Sequence, residues 1–399
     1  MNIRIQSRFS RYASTLTLWT MFLVSSASGQ QASNVKDLRL VSEYKQTRVE
    51  DISDDGKLVL YQMSTLMRTF SVPLDGRPPV ALPKPSNDSD FLRIVDLSTG
   101  QEVARTRVEF YPTRVQFING TRTVFYIEPA PLPKYAARLW DYDQNAVGTC
   151  TNDISVGAIN FVSTNRALAI VSKARSPQSL GVLTLPDCKI VDVVPADPQH
   201  PERGVLYPLT ISSHGHLLYK TTGHEILVRD IKTMTILHRF PRLQNGLYVG
   251  SHNAAFTPDG KQLLLVGSNT VDDTAKTERY LLFYDTETYD LVRKETVTAW
   301  RQPIVRNDTT INSDVLGSAW AISPDGETIA IANTTNDERI AFVDLYELKT
   351  LKKIARAAFP AVRVSRDNPF AARISQLFFT PDGKHLIAST DTTRVWRVN

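Results

Sequence analysis

Three short stretches decide how this sequence folds: Phe256-Thr-Pro-Asp-Gly-Lys261, Ile322-Ser-Pro-Asp-Gly-Glu327 and Phe379-Thr-Pro-Asp-Gly-Lys384. Each ends one apolar segment and opens another, the following runs being QLLLVGS, TIAIANT and HLIAST. The chemistry between them is that of a tight turn. Proline presets φ, aspartate bonds its own backbone, and glycine takes positive φ without a steric penalty. Apolar character on every residue of the departing run suits a strand buried on both faces. Weaker copies lie upstream: Ile52-Ser-Asp-Asp-Gly-Lys57 before LVLYQM and Phe117-Ile-Asn-Gly120 before TRTVFYIE. Two more are degraded, Phe161-Val-Ser-Thr-Asn-Arg166 and Ile211-Ser-Ser-His-Gly215. The glycine or its equivalent falls at 56, 120, 166, 215, 260, 326 and 383, so a repeat of about 45 residues carries insertions of varied length.

A second hairpin follows in each unit, over 91–108, 137–153, 179–194, 225–240, 279–296 and 339–355. A strand closes on a polar turn, and another strand returns. Each unit therefore holds four short antiparallel strands. Such a sheet cannot bury both faces alone, whereas radial stacking buries them and leaves only short edges. Six units are complete. The seventh starts at Arg373 and ends with TRVWRVN at Asn399, one strand short. Leu38–Arg48 (LRLVSEYKQTR) is a strand-like segment with no partner in the first unit. The spare strand fills the gap, so the sequence predicts an all-β, seven-bladed β-propeller over 36–399, its last blade completed by the N-terminal strand.

The Phe/Ile-Ser/Thr-Pro-Asp-Gly-Lys turn with its apolar strand resembles the bacterial WD40-like propellers, including TolB-type and YVTN-type repeats. RLWDYD (138–143) and the terminal TRVWRVN resemble the Trp-bearing third strand of WD40 blades. The resemblance implies the fold. It assigns no activity, because the family spans scaffolds, protein-binding modules, lactonases and quinoprotein dehydrogenases.

Residues 1–29 read as a secretory signal peptide: three arginines and no acid in 1–11, an uncharged, mainly apolar stretch over 12–24, then the small residues SSASG. The expected location is periplasmic or secreted, where Cys150 and Cys188 are free to pair as a disulfide. The 46 basic and 41 acidic residues give +5, and +2 once Arg4, Arg8 and Arg11 are set aside with the leader. That field is too weak to imply nucleic-acid binding. GxSxG, P-loop and GxGxxG patterns are missing from the sequence, which excludes a fused serine peptidase and phosphate-cradling loops.

Candidate chemistry is sparse, and neither a cofactor nor a metal is expected. His214-Gly-His216 and His385 sit at turns and read as solvated. Asp96, Asp141, Asp230, Asp285 and Asp344 recur near third-strand ends and read as turn-capping carboxylates. The long connections (64–90, 129–137, 195–208, 242–252, 269–278, 299–317 and 359–373) alternate with short ones and so gather on one rim, where function is built. In or beside them lie Tyr135, Arg138, His224, His252, Trp300, Arg301, Arg306, Arg363 and Arg366, of which the aromatic and arginine side chains are favoured anchors in protein contacts. The sequence thus suggests a monomeric, non-catalytic binding module for a protein, peptide or glycan. The alternative is a lactonase-like hydrolase at the channel mouth, with His224 or His252 working beside Asp272 or Asp273.

Overall fold

The computed structural model describes residues 36–45, 47–63, 91–108, 112, 114–129, 135–150, 155–172, 178–244, 246–269, 279–296, 304–306, 309–311, 319–334, 341–360, 374–390 and 392–398. These residues form strands and turns, with no helix among them. After β1 (Lys36–Asp37) and β2 (Arg39–Lys45), the chain runs through seven antiparallel sheets. Blade I holds β3 (Thr47–Ile52), β4 (Leu58–Met63), β5 (Phe91–Asp96) and β6 (Glu102–Arg107). Blade II holds β7 (Val115–Phe117), β8 (Thr123–Pro129), β9 (Tyr135–Asp141) and β10 (Ala146–Cys150). Blade III holds β11 (Ser155–Ser163), β12 (Arg166–Ser172), β13 (Ser179–Thr184) and β14 (Lys189–Val194). Blade IV holds β15 (Val205–Ile211), β16 (His216–Thr221), β17 (Ile226–Asp230) and β18 (Ile236–Phe240).

The two-residue β19 (Leu243–Gln244) leads into blade V, which holds β20 (Leu247–Phe256), β21 (Gln262–Ser268), β22 (Arg279–Asp285) and β23 (Leu291–Thr296). A small hairpin, β24 (Ile304–Arg306) and β25 (Thr309–Ile311), interrupts the 299–317 connection that the sequence presents as loop. Blade VI holds β26 (Trp320–Ile322), β27 (Thr328–Thr334), β28 (Ala341–Glu347) and β29 (Lys353–Ala358), and β1 adds to its outer edge in parallel. Blade VII holds β30 (Gln376–Phe379), β31 (His385–Ser389) and β32 (Thr392–Arg397), with β2 as its fourth strand.

The closure expected from the spare strand is present. β2 pairs antiparallel with β32, from Arg39 opposite Arg397 to Lys45 opposite Thr392. Arg394 Nε and Nη2 both donate to Glu43 Oε2, at 2.8 and 2.5 Å. The chain then crosses directly into the innermost strand of blade I. There Ser389 Oγ accepts Val49 N at 2.9 Å, and Thr393 Oγ1 donates to the Thr47 carbonyl at 3.0 Å.

Side-chain alternation explains why a ring forms. Leu263 and Leu265 of β21 pack toward blade IV, while Leu264 and Val266 pack toward blade VI. Likewise Ala167, Ala169 and Val171 of β12 face blade II, and Leu168 and Ile170 face blade IV. Successive strand residues point to opposite faces, so an uninterrupted apolar run requires a neighbouring sheet on each side. The described core accordingly divides into seven apolar clusters, one for each adjacent blade pair, including VII against I. Trp140 of β9 and Trp396 of β32, both buried third-strand residues, anchor two of them.

The repeat turn follows one pattern. In blade V, Thr257 Oγ1 donates to Asp259 Oδ1 at 2.6 Å and accepts Gln262 N at 3.0 Å. Asp259 Oδ1 also accepts Lys261 N at 3.1 Å, and Gly260 takes φ +69°. Asp96, Asp141, Asp230 and Asp285 cap the other short turns through the backbone N–H groups two and three residues on. Asp344 departs from the expected series. It lies opposite Ile331 rather than at the strand end, where Glu347 stands opposite Thr328. Buried there, Asp344 receives Arg356 Nε at 2.6 Å and Lys353 Nζ at 2.7 Å.

Candidate functional site

Among the described residues, turns between first and second strands, and between third and fourth, are tight and lie on one rim, while the β16–β17 turn and the 195–204 connection between blades III and IV lie at the opposite strand ends. Two parts of the long-connection rim gather paired charged side chains.

The first is the 195–204 connection between blades III and IV. Asp197 is fully buried, and its carboxylate takes Arg239 in a two-pronged pair, at 2.8 Å to Oδ2 and 2.6 Å to Oδ1. That pairing holds the Asp197 carboxyl down at about 2. Arg229, itself almost wholly buried, donates to the carbonyls of Pro195 and Ala196 at 3.0 and 3.1 Å and to that of Met234 at 2.5 Å. Tyr219 Oη donates to the Ala196 carbonyl at 2.5 Å. Arg203 pairs with Glu225 at 2.6 Å, which ties the connection to the adjoining β16–β17 turn. Loop backbone is fixed here by side chains, because no ladder supplies its partners.

His224 projects from that turn at φ +63° and is exposed. Partial burial, then the charges of Lys220 and Arg242, push its pKa below the ordinary imidazole value. The charges that act on it are those of cations, and Glu225 beside it in the turn is held by Arg203. Exposed Arg242 and Leu243 (52% exposed) adjoin it, and together they offer a mixed cationic and apolar contact surface.

The second part lies between blades I and II. Leu60 and Leu92 of blade I pack on Val124, Tyr126 and Trp140 of blade II. Period-2 alternation carries the same facing surfaces toward the long-connection rim as Gln62, two residues beyond Leu60, and as Glu128, two beyond Tyr126. There the apolar interface becomes polar. Arg138 lies opposite Tyr126 and pairs with Glu128 at 3.3 Å, and its Nη1 donates to Thr149 Oγ1. Arg48 lies opposite Gln62 and pairs with Glu50 at 3.1 Å. The pairing of β3 with β4 shifts between Val49 and Asp51, so Glu50 is the extra residue of a bulge. Burial raises the carboxyls of Glu50 and Asp51 to about 7 each. Asp51 Oδ2 accepts the Phe117 N–H of blade II at 2.8 Å, joining the innermost strands of the two blades.

Of the sequence candidates, Arg138 and Tyr135 belong to β9 and not to the preceding connection, because the strand begins at Tyr135. His252 lies inside β20, in a stretch where the pairing shifts between Val249 and Ala254, rather than in a loop. Arg306 ends β24. Trp300, Arg301, Arg363, Arg366, Asp272 and Asp273 lie outside the described residues. Among the described candidates, Tyr135 and Arg138 share β9 of blade II, while His224 stands on blade IV and His252 on blade V. His216 and His238 flank Tyr289, with His216 Nδ1 at 3.3 Å from its hydroxyl and His238 stacked on its ring. Cys188 is buried among blade II and III side chains, including Ala137, and Cys150 lies opposite Ala137 in the β9–β10 ladder. Among the described residues, no group of three or more His, Cys, Asp or Glu side chains is placed to hold a metal, and no helix is long and apolar enough to cross a membrane.

Sequence reading missed Glu50, Gln62, Arg114, Asp197, Arg229 and Arg239. The available signal was the Glu50-Asp51 pair inside a strand, where apolar alternation breaks. By its described architecture the chain is a seven-bladed β-propeller. No protein-family model matches it, and no curated protein is detectably similar to it in sequence.

Proposed function

We propose that this chain is an exported, non-catalytic propeller of WD40-like type that binds a protein, peptide or glycan through its long-connection face. The observation that carries the reading is the division between rims. The short turns of blades I, V, VI and VII repeat one hydrogen-bond pattern, and the long connections of the sequence belong to the opposite face. Blade IV supports the reading as well, since buried Arg229 and the Asp197–Arg239 pair stiffen a loop that presents Arg242, Leu243 and His224 to solvent. A stiffened loop loses less entropy on binding. Export rests on residues 1–29, and the family on the turn motif.

Cross-linking in an envelope extract tests the proposal, because lysines sample both faces by sequence position. A retained partner should link to Lys84, Lys134, Lys173 or Lys276. Links confined to Lys57, Lys261 and Lys384 would place the contact on the wrong face. Turnover of a lactone by the purified chain, without a retained partner, would favour the hydrolase alternative.

A further inference from the structure

We propose that the outer edge of blade II, the strand β10, pairs with the same edge of a second copy of this chain, joining two rings through one continuous sheet about a two-fold axis. The contact lies on the side wall of the ring, apart from the long-connection face, and so stands independently of the binding reading above.

The fourth strand is the outer edge of a blade, and its unpaired backbone groups can template association. Six of the seven blades interrupt that edge. In each, the pairing of third with fourth strand skips one residue of the fourth: Val41, Val103, Val191, Leu237, Val292 or Ile354. The skipped residue is aliphatic and between 41% and 54% exposed in all six. A bulge therefore bends each of these strands near its short-turn end. Charge adds to the interruption, because every one of the six also carries a lysine or an arginine.

Blade II has neither device. Its β9–β10 pairing is unbroken from Ala146 opposite Asp141 to Cys150 opposite Ala137. Val147, the counterpart of the six bulged aliphatics, stays in the ladder opposite Trp140. Ala146, Val147, Gly148 and Thr149 are exposed and uncharged, and among the described residues no strand lies beyond them. Gly148 is an independent sign. It has no left-handed backbone, and a Cβ there would meet only the Leu139 carbonyl, at 3.9 Å. Neither conformation nor packing among the described residues requires glycine at that place. Glycine weakens a strand, and it marks sites where another backbone comes close. Blade VI shows that such an edge accepts a strand, since β1 lies along β29 at Ala355 and Arg356, just past the bulge.

Self-complementarity selects the occupant. A two-fold axis normal to the sheet sets β10 antiparallel to its copy, with side chains of one face opposite side chains of the same face. With Gly148 on the axis, Val147 meets Thr149 of the second copy on the face that Trp140 turns toward blade I. Two β-branched side chains make a favourable cross-strand pair. On the face of Leu139, toward blade III, glycine meets glycine and leaves room for the two backbones. No like charges face each other. The nearest charged side chains in the ladder, Arg138 and Asp141, lie one strand further in, and Arg138 is paired with Glu128. A foreign strand would need neither this match of faces nor an edge free of charge. So short a ladder makes a weak contact, and the monomer expected from the sequence is then the dilute form.

Sedimentation velocity of the full chain between about 1 and 200 μM tests the proposal. The mass should rise with concentration toward twice that of one chain and stop there. Val147→Lys sets a lysine on each side of the axis and should weaken association by about tenfold or more. Val292→Lys makes the same change on the bulged edge of β23 and should leave association as it was. Val147→Lys and Val147→Asp chains, each impaired alone, should associate when mixed, which also shows that both variants are folded. A mass that stays at one chain throughout overturns the proposal, as does association that Val147→Lys leaves unchanged or that Val292→Lys weakens equally. If the chain stays monomeric and Val147→Lys instead abolishes cross-linking to another protein in an envelope extract, the edge takes a foreign strand and the second copy is excluded.

Discussion

Glu50 and Gly260 show how much one residue decides in this chain. Glu50 keeps its proton up to about pH 7 when folded, whereas its ordinary value is 4.5. Between those values the folded state holds more protons than the unfolded chain, so this contribution to stability is complete at low pH and is lost as pH rises through about 7. Glu50→Gln should therefore flatten the slope of unfolding free energy between pH 5 and 8, by on the order of 2–3 kcal/mol across that range. Urea titrations of both proteins at several pH values check this, and an unchanged slope would refute it. Gly260 makes a steric case. A Cβ there would lie 1.9 Å from His214 Nδ1, in a backbone at φ +69°. Gly246, at φ +75°, has nothing within 4 Å of its would-be Cβ. Gly246→Ala should cost only the left-handed strain, about 1–2 kcal/mol. Gly260→Ala should cost more, and adding His214→Ala should remove the excess, as read from denaturation midpoints.

At the scale of strands and turns, much of the fold was legible because its information is local. QLLLVGS announces a strand buried on both faces, and β21 divides its side chains between two neighbouring blades as that run requires. Thr/Ser-Pro-Asp-Gly announces a turn because every hydrogen bond that fixes it lies within six residues. Asp344 was misread, since its alignment with Asp285 depended on a register that only strand pairing reveals. The polar site between blades I and II was hidden for the same kind of reason. Gln62 and Glu128 are 66 positions apart, and nothing near either residue signals that their faces meet. The bulge at Glu50 leaves no mark in composition either. Two tests belong to this scale. Ser389→Ala leaves the buried Val49 N–H without its 2.9 Å acceptor and should cost about 1–3 kcal/mol, measurable by chemical denaturation. Cys188 is buried in the blade II–III packing with Ala137, the residue opposite Cys150 in the β9–β10 ladder, and we propose that the two cysteines form a bridge. Non-reducing peptide mapping of exported protein should recover one linked peptide, and two separate thiols would exclude the bridge.

For the whole molecule, the decisive contact joins the two ends of the described chain. Blade VII borrows its fourth strand, β2, from 331 positions before the start of its own β30, and blade VI takes only the two-residue β1 onto its edge. The join is dense. β2 and β32 share a six-residue register, Arg394 grips Glu43, and Tyr44 lies against Tyr61 of blade I with ring centroids 4.9 Å apart. Without β2, the backbone edge of β32 would be left open, and an unpaired edge strand templates association. It would also uncover Trp396 and Val395, which are buried in the clusters on either side of blade VII. Removal of residues 36–45 should then do more than subtract one strand, since the VII–I cluster holds the ring shut. The expected result is a lower thermal midpoint together with concentration-dependent association in light scattering, both reversed when a peptide spanning 36–45 is added back. A less drastic variant separates closure from simple loss of mass. Glu43→Lys sets a second cation against Arg394 and should lower the midpoint, and Arg394→Glu in the same chain should recover part of the loss. If the deletion keeps the full-length midpoint and its scattering does not rise with concentration, blade VII stands on three strands and the join contributes nothing to the ring.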